Sequence, residues 1–174
     1  MNASSRQAPR HESFAKFREL SKDIRIAMLT TVAPDGMLHS RPMATQEIGP
    51  EGDLWFFTSD DSLKVDEIAR NPRVNLAYAA PGGQVYLSVA GLASLSYDRA
   101  KIVELWSPLL KTWFPDGPQD PRIALLRVKI ESIDYWEGPG QVVSLFKMVA
   151  SAVTGEPAKL GEYGHITPST QSTR

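Results

Sequence analysis

The chain has 174 residues, 42% hydrophobic and 22% charged, and its 19 Lys and Arg against 20 Asp and Glu leave a formal charge of −1. That length fits one ordinary domain with tails, and a near-neutral balance with its cations spread along the chain argues against a surface that tracks nucleic acid. With no cysteine, disulfides, thiolate nucleophiles and Cys-bound zinc or iron–sulfur centres are excluded, so redox chemistry would need a cofactor. Residues 1–10 are polar and lack a signal peptide's apolar core, and no apolar run approaches the roughly 20 residues of a spanning helix. A cytoplasmic protein is the default expectation.

In chain order, 1–10 reads as a flexible lead, and a helix is predicted over 11–21, where Phe14, Phe17 and Leu20 fall at helical spacing. That helix is expected to lid the sheet that follows. From Ile24 the pattern alternates, with Ile24, Ile26, Met28 and Thr30 on one face, and Pro34-Asp35-Gly36 turns the chain into a second strand over 37–48. A second turn over 49–53 feeds the strand 54–58. Ser59 to Asp61 are candidate caps for a helix that turns Leu63, Val65 and Ile68 inward and stops at Asn71-Pro72. Strands follow over 73–80 and 84–97, joined by Pro81-Gly82-Gly83, and the longer one needs a bend, for which Gly91 is the place. Asp98 caps a helix to about 106, an irregular segment rich in proline and aromatics fills 107–121, and a hairpin of 123–130 with 132–137 closes the sheet. The tail from 140 opens with a short amphipathic helix carrying Val142, Val143, Phe146 and Val149, then turns polar. Six or seven strands with three or four short helices, in an order unlike alternating βαβ units, predict a mainly β (α+β) antiparallel barrel. Its domain is set at 11–139, with 1–10 as lead and 140–174 as helix and tail.

The stretch from Leu54 to Lys64 carries the chemistry, because an aromatic strand runs into Thr58 and Ser59 and then into a helix start bearing Lys64. Arg41 lies near the end of the neighbouring strand, so two cations and two hydroxyls are expected to converge on one anion. A phosphate dianion calls for such donors: arginine offers a bidentate fork, lysine a point charge, and the helix N-terminus a favourable field. Thr58 and Ser59 read equally as helix caps, and the two roles are compatible. Of the alternating Trp55, Phe56 and Phe57, at least one is core, with Phe56 or Trp55 the candidates; Trp106 also reads as core. Trp113 sits in a loop, where a large ring marks a ligand or subunit contact, while Trp136 and His39 are weaker candidates for the groove. No metal cluster has ligand spacing, and no dinucleotide fingerprint, Walker loop or nucleophile elbow is present.

Taken together, Ile26-Ala27-Met28-Leu29-Thr30-Thr31, the Asp35-Gly36 turn, Ser40-Arg41-Pro42-Met43, Leu54-Trp55-Phe56-Phe57-Thr58, Lys64 and Asn71-Pro72-Arg73-Val74 resemble the FMN-binding split barrel of the pyridoxamine 5′-phosphate oxidase superfamily, general stress protein branch. The resemblance runs from Phe14 to Glu137, and parts of 147–162 resemble that branch's C-terminal extension. It implies a homodimer with two flavins, bound in the groove between the subunits. Ser40, Arg41, Pro42 and Met43 would run beside the isoalloxazine, Phe57, Thr58, Ser59 and Lys64 would meet the ribityl chain and phosphate, and Trp113 would belong to a loop over the ring. FMN is the implied cofactor, with FAD as an alternative. The superfamily's oxidases carry an Arg-x-His substrate signature, which Gly164-His165-Ile166 does not match, so vitamin B6 oxidation is not expected. The function implied is flavin binding of the general stress type, either as an oxidoreductase with a nicotinamide donor or as a non-catalytic sensor or carrier. No general acid or base is evident beside the flavin.

Overall fold

The computed structural model describes residues 10–139 and 161–167, with side chains from Phe14 onward. The predicted lead, apart from Arg10, and the predicted amphipathic helix of the tail lie outside these residues. Helices α1 (Arg10–Ser21), α2 (Leu63–Arg70) and α3 (Arg99–Leu105) accompany strands β1 (Ile26–Val32), β2 (Leu38–Ala44), β3 (Glu47–Ile48), β4 (Asp53–Ser59), β5 (Arg73–Ala80), β6 (Val85–Ser96), β7 (Ile123–Glu137) and β8 (Glu162–Ile166). All pairings are antiparallel, in the order β2-β1-β5-β6-β7-β4-β3, with β8 added to the far end of β7.

β2 and β3 stand at opposite edges of this path, yet only Thr45 and Gln46 separate them. Three peptide steps reach at most about 10 Å, so the sheet must curl until its edges meet. The linker is clipped to both sides of the seam: Thr45 N–H donates to Arg25 C=O ahead of β1, and Gln46 N–H to Trp55 C=O on β4, each at 2.9 Å. The result is the expected split barrel, open along a seam between β2 and β4. Pro42 fits β2 because that strand pairs on one side alone, where a missing N–H costs no ladder bond.

α1 plugs the barrel as the sequence predicts. Phe14 and Phe17 are fully buried, and Phe17 meets the Tyr78 ring edge-on at 5.8 Å. Gly52, at φ +85° in the turn before β4, lies so close under the Phe14 ring that a Cβ would sit 2.1 Å from it. A second apolar cluster lies outside the barrel, where Ile102 of α3 and Phe114 cover Ile123 and Leu125 with Trp106 packed alongside. Phe56 is the core aromatic of β4.

Four local features differ from the sequence reading. The expected hairpin over 123–137 is one strand of 15 residues. Ala90 pairs with Ser132 and Gly91 with Ile130, so Glu131 is a bulge residue and not a turn. The expected strand over 37–48 breaks at Thr45-Gln46. The residues that β1 turns inward are Ala27, Leu29 and Thr31, while Ile26 and Met28 are 52% and 42% exposed. Finally, β8 arises within the stretch read as polar tail. No helix among the described residues is long and apolar enough to cross a membrane.

The bend at Gly91 falls where expected and leaves no room for a side chain, since a Cβ there would stand 2.5 Å from the Lys129 carbonyl oxygen. Gly91→Ala is expected to cost about 2–3 kcal/mol, read as a lower urea midpoint. Gly82→Ala, with nothing within 4 Å of its Cβ position, is expected to stay within about 0.5 kcal/mol. Equal losses in the two variants would show that the bulge is not sterically locked.

Candidate functional site

A cleft of about 660 Å³ follows the seam. One wall is apolar, built by Ile26, Met43, Phe57, Leu110, Trp113 and Phe114, and the opposite end is polar, built by Thr58, Ser59, Asp61 and Lys64. Pro42, Ala44, Gln46 and Arg122 complete the lining. The composition follows from strand alternation. β4 sends Leu54, Phe56 and Thr58 inward and Trp55, Phe57 and Ser59 outward, so Thr58 delivers a hydroxyl at the inner end of the seam while Phe57 faces the α3 side, 5.9 Å from Trp106.

Lys64 is the central cation of the polar end. Its Nζ donates to Thr58 Oγ1 and to Ser62 Oγ, each at 3.0 Å. Among the described residues no carboxylate lies within ion-pair distance of it, so its direct partners are the two hydroxyls, while the Glu67 and Asp61 charges act on it from farther off. Burial lowers its pKa, and the nearby Arg41 charge lowers it further. The N-cap of α2 is Ser62, not one of the earlier candidates, and its side chain makes no bond to a helix N–H because it holds the lysine instead. Ser59 donates to Asp61.

Arg41 lies elsewhere. Its Nη2 donates to Glu67 Oε2 at 2.8 Å and its Nη1 to Thr31 Oγ1, behind the cleft and outside its lining. Glu67 is buried and also accepts from the Thr31 hydroxyl, and His39 Nδ1 lies 2.6 Å from its Oε1. Burial by itself would raise that carboxyl. The hydrogen bonds from Thr31, His39 and Arg41, with the Arg41 charge, outweigh burial and hold it at about 2. Ser40 pairs with Thr30 on the exposed side of the sheet, 2.7 Å between hydroxyls.

The structure therefore gathers seven of the sequence candidates in one cleft, namely Pro42, Met43, Phe57, Thr58, Ser59, Lys64 and Trp113, and sets Ser40 and Arg41 apart from it. Trp113 is 67% exposed at the cleft edge, one residue before the buried Phe114. Trp136 sits in another depression, in a row with Tyr86 and Tyr163 across β6, β7 and β8.

Sequence reading missed Glu67, Gln46 and Arg122. Glu67 had a signal: on α2 it falls beside Ile68 on the face read as inward, and an acid there needs a partner. Gln46 becomes visible only once the strand break is known. Arg122 grips the fully buried Asp120 with two bonds, at 3.1 and 2.7 Å, and these bonds keep the Asp120 carboxyl below the usual carboxylate range. No group of three or more His, Cys, Asp or Glu among the described residues is placed to hold a metal ion.

A split barrel with a lysine held by two hydroxyls at the polar end of its seam cleft defines the class of protein. The family profile described as "Pyridoxamine 5'-phosphate oxidase like" matches residues 12–159, and the chain belongs to that family. Protein bli-3 of Neurospora crassa is 32% identical over 154 residues, 82% of this chain and 74% of that protein. General stress protein 26 of Bacillus subtilis is 34% identical over 112 residues, 63% of this chain and 77% of that protein. Among solved structures, the general stress FMN/FAD binding protein of Xanthomonas citri matches with a TM-score of 0.63 at 33% identity, over 72% of this chain and 89% of that one.

The Glu67 network carries a pH signature. Its folded pKa of about 2 lies below the ordinary 4.5, so the stabilisation is fully present above pH 4.5 and is lost as pH falls through 2. It amounts to roughly 3 kcal/mol. Urea unfolding of Glu67→Gln at neutral and acid pH is expected to lack that share of the wild-type acid loss. An unchanged loss would assign the acid sensitivity to other carboxylates.

Proposed function

We propose that this chain binds FMN in the seam cleft and acts as an FMN-dependent oxidoreductase of the general stress type, reduced by a nicotinamide donor. The observation that carries the reading is Lys64: a half-buried ammonium without a carboxylate partner among the described residues, steadied by two hydroxyls at the start of α2. A phosphate placed there would take its remaining N–H, the Thr58 and Ser62 hydroxyls and the free backbone N–H groups of the first helical turn. The apolar wall suits a flat ring system, and 660 Å³ lies within the range of cofactor sites. Relatives named for general stress, one of them FMN/FAD binding, support the same reading.

When bound, the flavin would supply the hydride and electron chemistry. The chain's own part is to orient and to exclude water. Met43, Phe57 and Phe114 would hold the ring, and Trp113 would cover its open side. Of the cleft's charged groups, Asp61 and Lys64 belong to the phosphate end and Arg122 is bound to Asp120. This arrangement favours redox exchange over proton-transfer catalysis by a side chain. Vitamin B6 oxidation is not part of the reading, since Gly164-His165-Ile166 lacks the Arg-x-His signature and His165 on β8 meets Asp134 of β7 at 2.6 Å.

A second copy of the chain completes the proposal. Ile26 and Trp113 line the cleft, and Leu63 and Leu109 each precede a lining residue; all four are 52% to 76% exposed and leave more apolar surface in water than a lone subunit favours. A homodimer closing over the cleft would cover them.

Titration of wild-type protein with FMN and with riboflavin, followed by the flavin's visible spectrum, tests the site. Lys64→Ala is expected to weaken FMN about 10- to 100-fold and riboflavin far less, because only the phosphate loses its charged donor. Sedimentation is expected to give a dimer, and NAD(P)H under anaerobic conditions to bleach the bound flavin. A wild-type protein that binds no flavin at micromolar concentration would overturn the proposal; binding without bleaching would leave a carrier.

A further inference from the structure

Arg122, in the cleft lining, and Arg41, behind it, are each tied to a buried carboxylate, Arg122 to Asp120 at 2.7 Å and Arg41 to Glu67 at 2.8 Å, while Lys64 has no such partner among the described residues. The two pairs differ in what they would otherwise do. Arg122 is anchored two residues from its carboxylate, within one turn. Arg41 is held from a different element: Glu67 sits on α2 one helical turn after Lys64, so the helix that presents the lysine also carries the group that engages the arginine. Resting on the flavin reading above, we propose that Glu67 is a positioning residue that sets the charge of the phosphate site, holding Arg41 in a neutral pair behind the cleft so that Lys64 is the cation the phosphate meets.

Arg41 and Glu67 form their pair at 2.8 Å, and their charges act on the Lys64 ammonium in opposite directions; the Arg41 guanidinium also has the fork that a phosphate takes in bidentate fashion. Left without a carboxylate, it would add a second full charge to the site and bind anions through the same field. Glu67 prevents this with three partners at once, since Thr31, His39 and Arg41 together occupy both carboxylate oxygens. Stability alone gives little reason to keep such a pair, because a buried ion pair can be replaced by neutral groups of similar shape at little cost, whereas removing one partner leaves an uncompensated charge. Retaining both members fits a role in tuning the field at Lys64.

The FMN-to-riboflavin affinity ratio isolates the phosphate, because ring packing cancels between the two ligands. For Glu67→Gln this ratio is expected to rise about tenfold over wild type as the Arg41 charge is released toward the cleft, with a steeper salt dependence. In the double variant Arg41→Gln with Glu67→Gln, the ratio is expected to return to within about twofold of wild type. A merely structural Glu67 would weaken both flavins together and leave the ratio unmoved, which would overturn the proposal. A ratio that falls about tenfold in the double variant would also overturn it, by making Arg41 a phosphate ligand in its own right. Should Glu67→Gln alone not fold, Glu67→Asp, whose shorter side chain loosens the Arg41 pair while keeping the charge, is read by the same ratio: a rise of a few-fold supports the proposal and an unmoved ratio overturns it. A wild-type protein that binds FMN no better than riboflavin would instead refute the phosphate site at Lys64, a result distinct from any change among the Glu67 variants.

Discussion

The two-residue link between β2 and β3 is the constraint on which the rest depends. A sheet of this order could lie open, but its two edge strands are neighbours in the chain, and Thr45-Gln46 is too short to let them part. The sheet must therefore close, and the two clips from Thr45 to Arg25 and from Gln46 to Trp55 fix the closure. What remains unpaired is the stretch of seam between β2 and β4. That stretch is the cleft: its walls are the last residues of β2 on one side and of β4 on the other, so the opening lies where the strand ladder stops.

The seam also decides how charge is arranged. A phosphate would be held best where a cation stands without a carboxylate in ion-pair distance. The chain meets this at one point by giving Lys64 hydroxyl partners, which steady the ammonium without neutralising it. The arginines follow the other rule, each drawn out of competition by an acid with almost no exposure. Lysine suits the free role because its compact ammonium responds to burial, while an arginine keeps its charge in any surroundings and must be compensated if it is not to bind every anion that approaches.

Most of the fold was legible in the sequence because its signals were local. The Pro34-Asp35-Gly36 turn, the Asp98 cap and the Asn71-Pro72 stop each act within a few residues, and the aromatic strand before Lys64 pointed to residues that line the seam cleft. The misreadings share a cause, which is that their reasons lie on another strand. Glu131 looks like a turn position only until β6 is laid beside it, where Gly91 shows that the extra residue is a bulge. β8 has polar residues because it pairs at the sheet's edge, where alternation is weak. Arg41 and Lys64 were expected on one anion from proximity along neighbouring elements, and only the burial of Glu67 between α2 and the barrel shows why the arginine turns away.

The outward face of β1 shows how crowding inside the barrel can reverse a sequence pattern. Larger apolar residues ordinarily take the core side, yet here Ala27 is buried and Ile26 and Met28 are exposed. The interior is already filled from the opposite direction, since α1 drives Phe14 and Phe17 into it and Tyr78 on the adjoining β5 meets Phe17 edge-on. Ala27 pairs directly with Tyr78, and a small residue is what that ring leaves room for at native packing density. Met28 pairs across β1 and β5 with the exposed Ala77, giving a flat, mixed apolar surface continuous with the cleft through Ile26. Cleft and exposed sheet face are thus one surface, and whatever covers the second also closes the first.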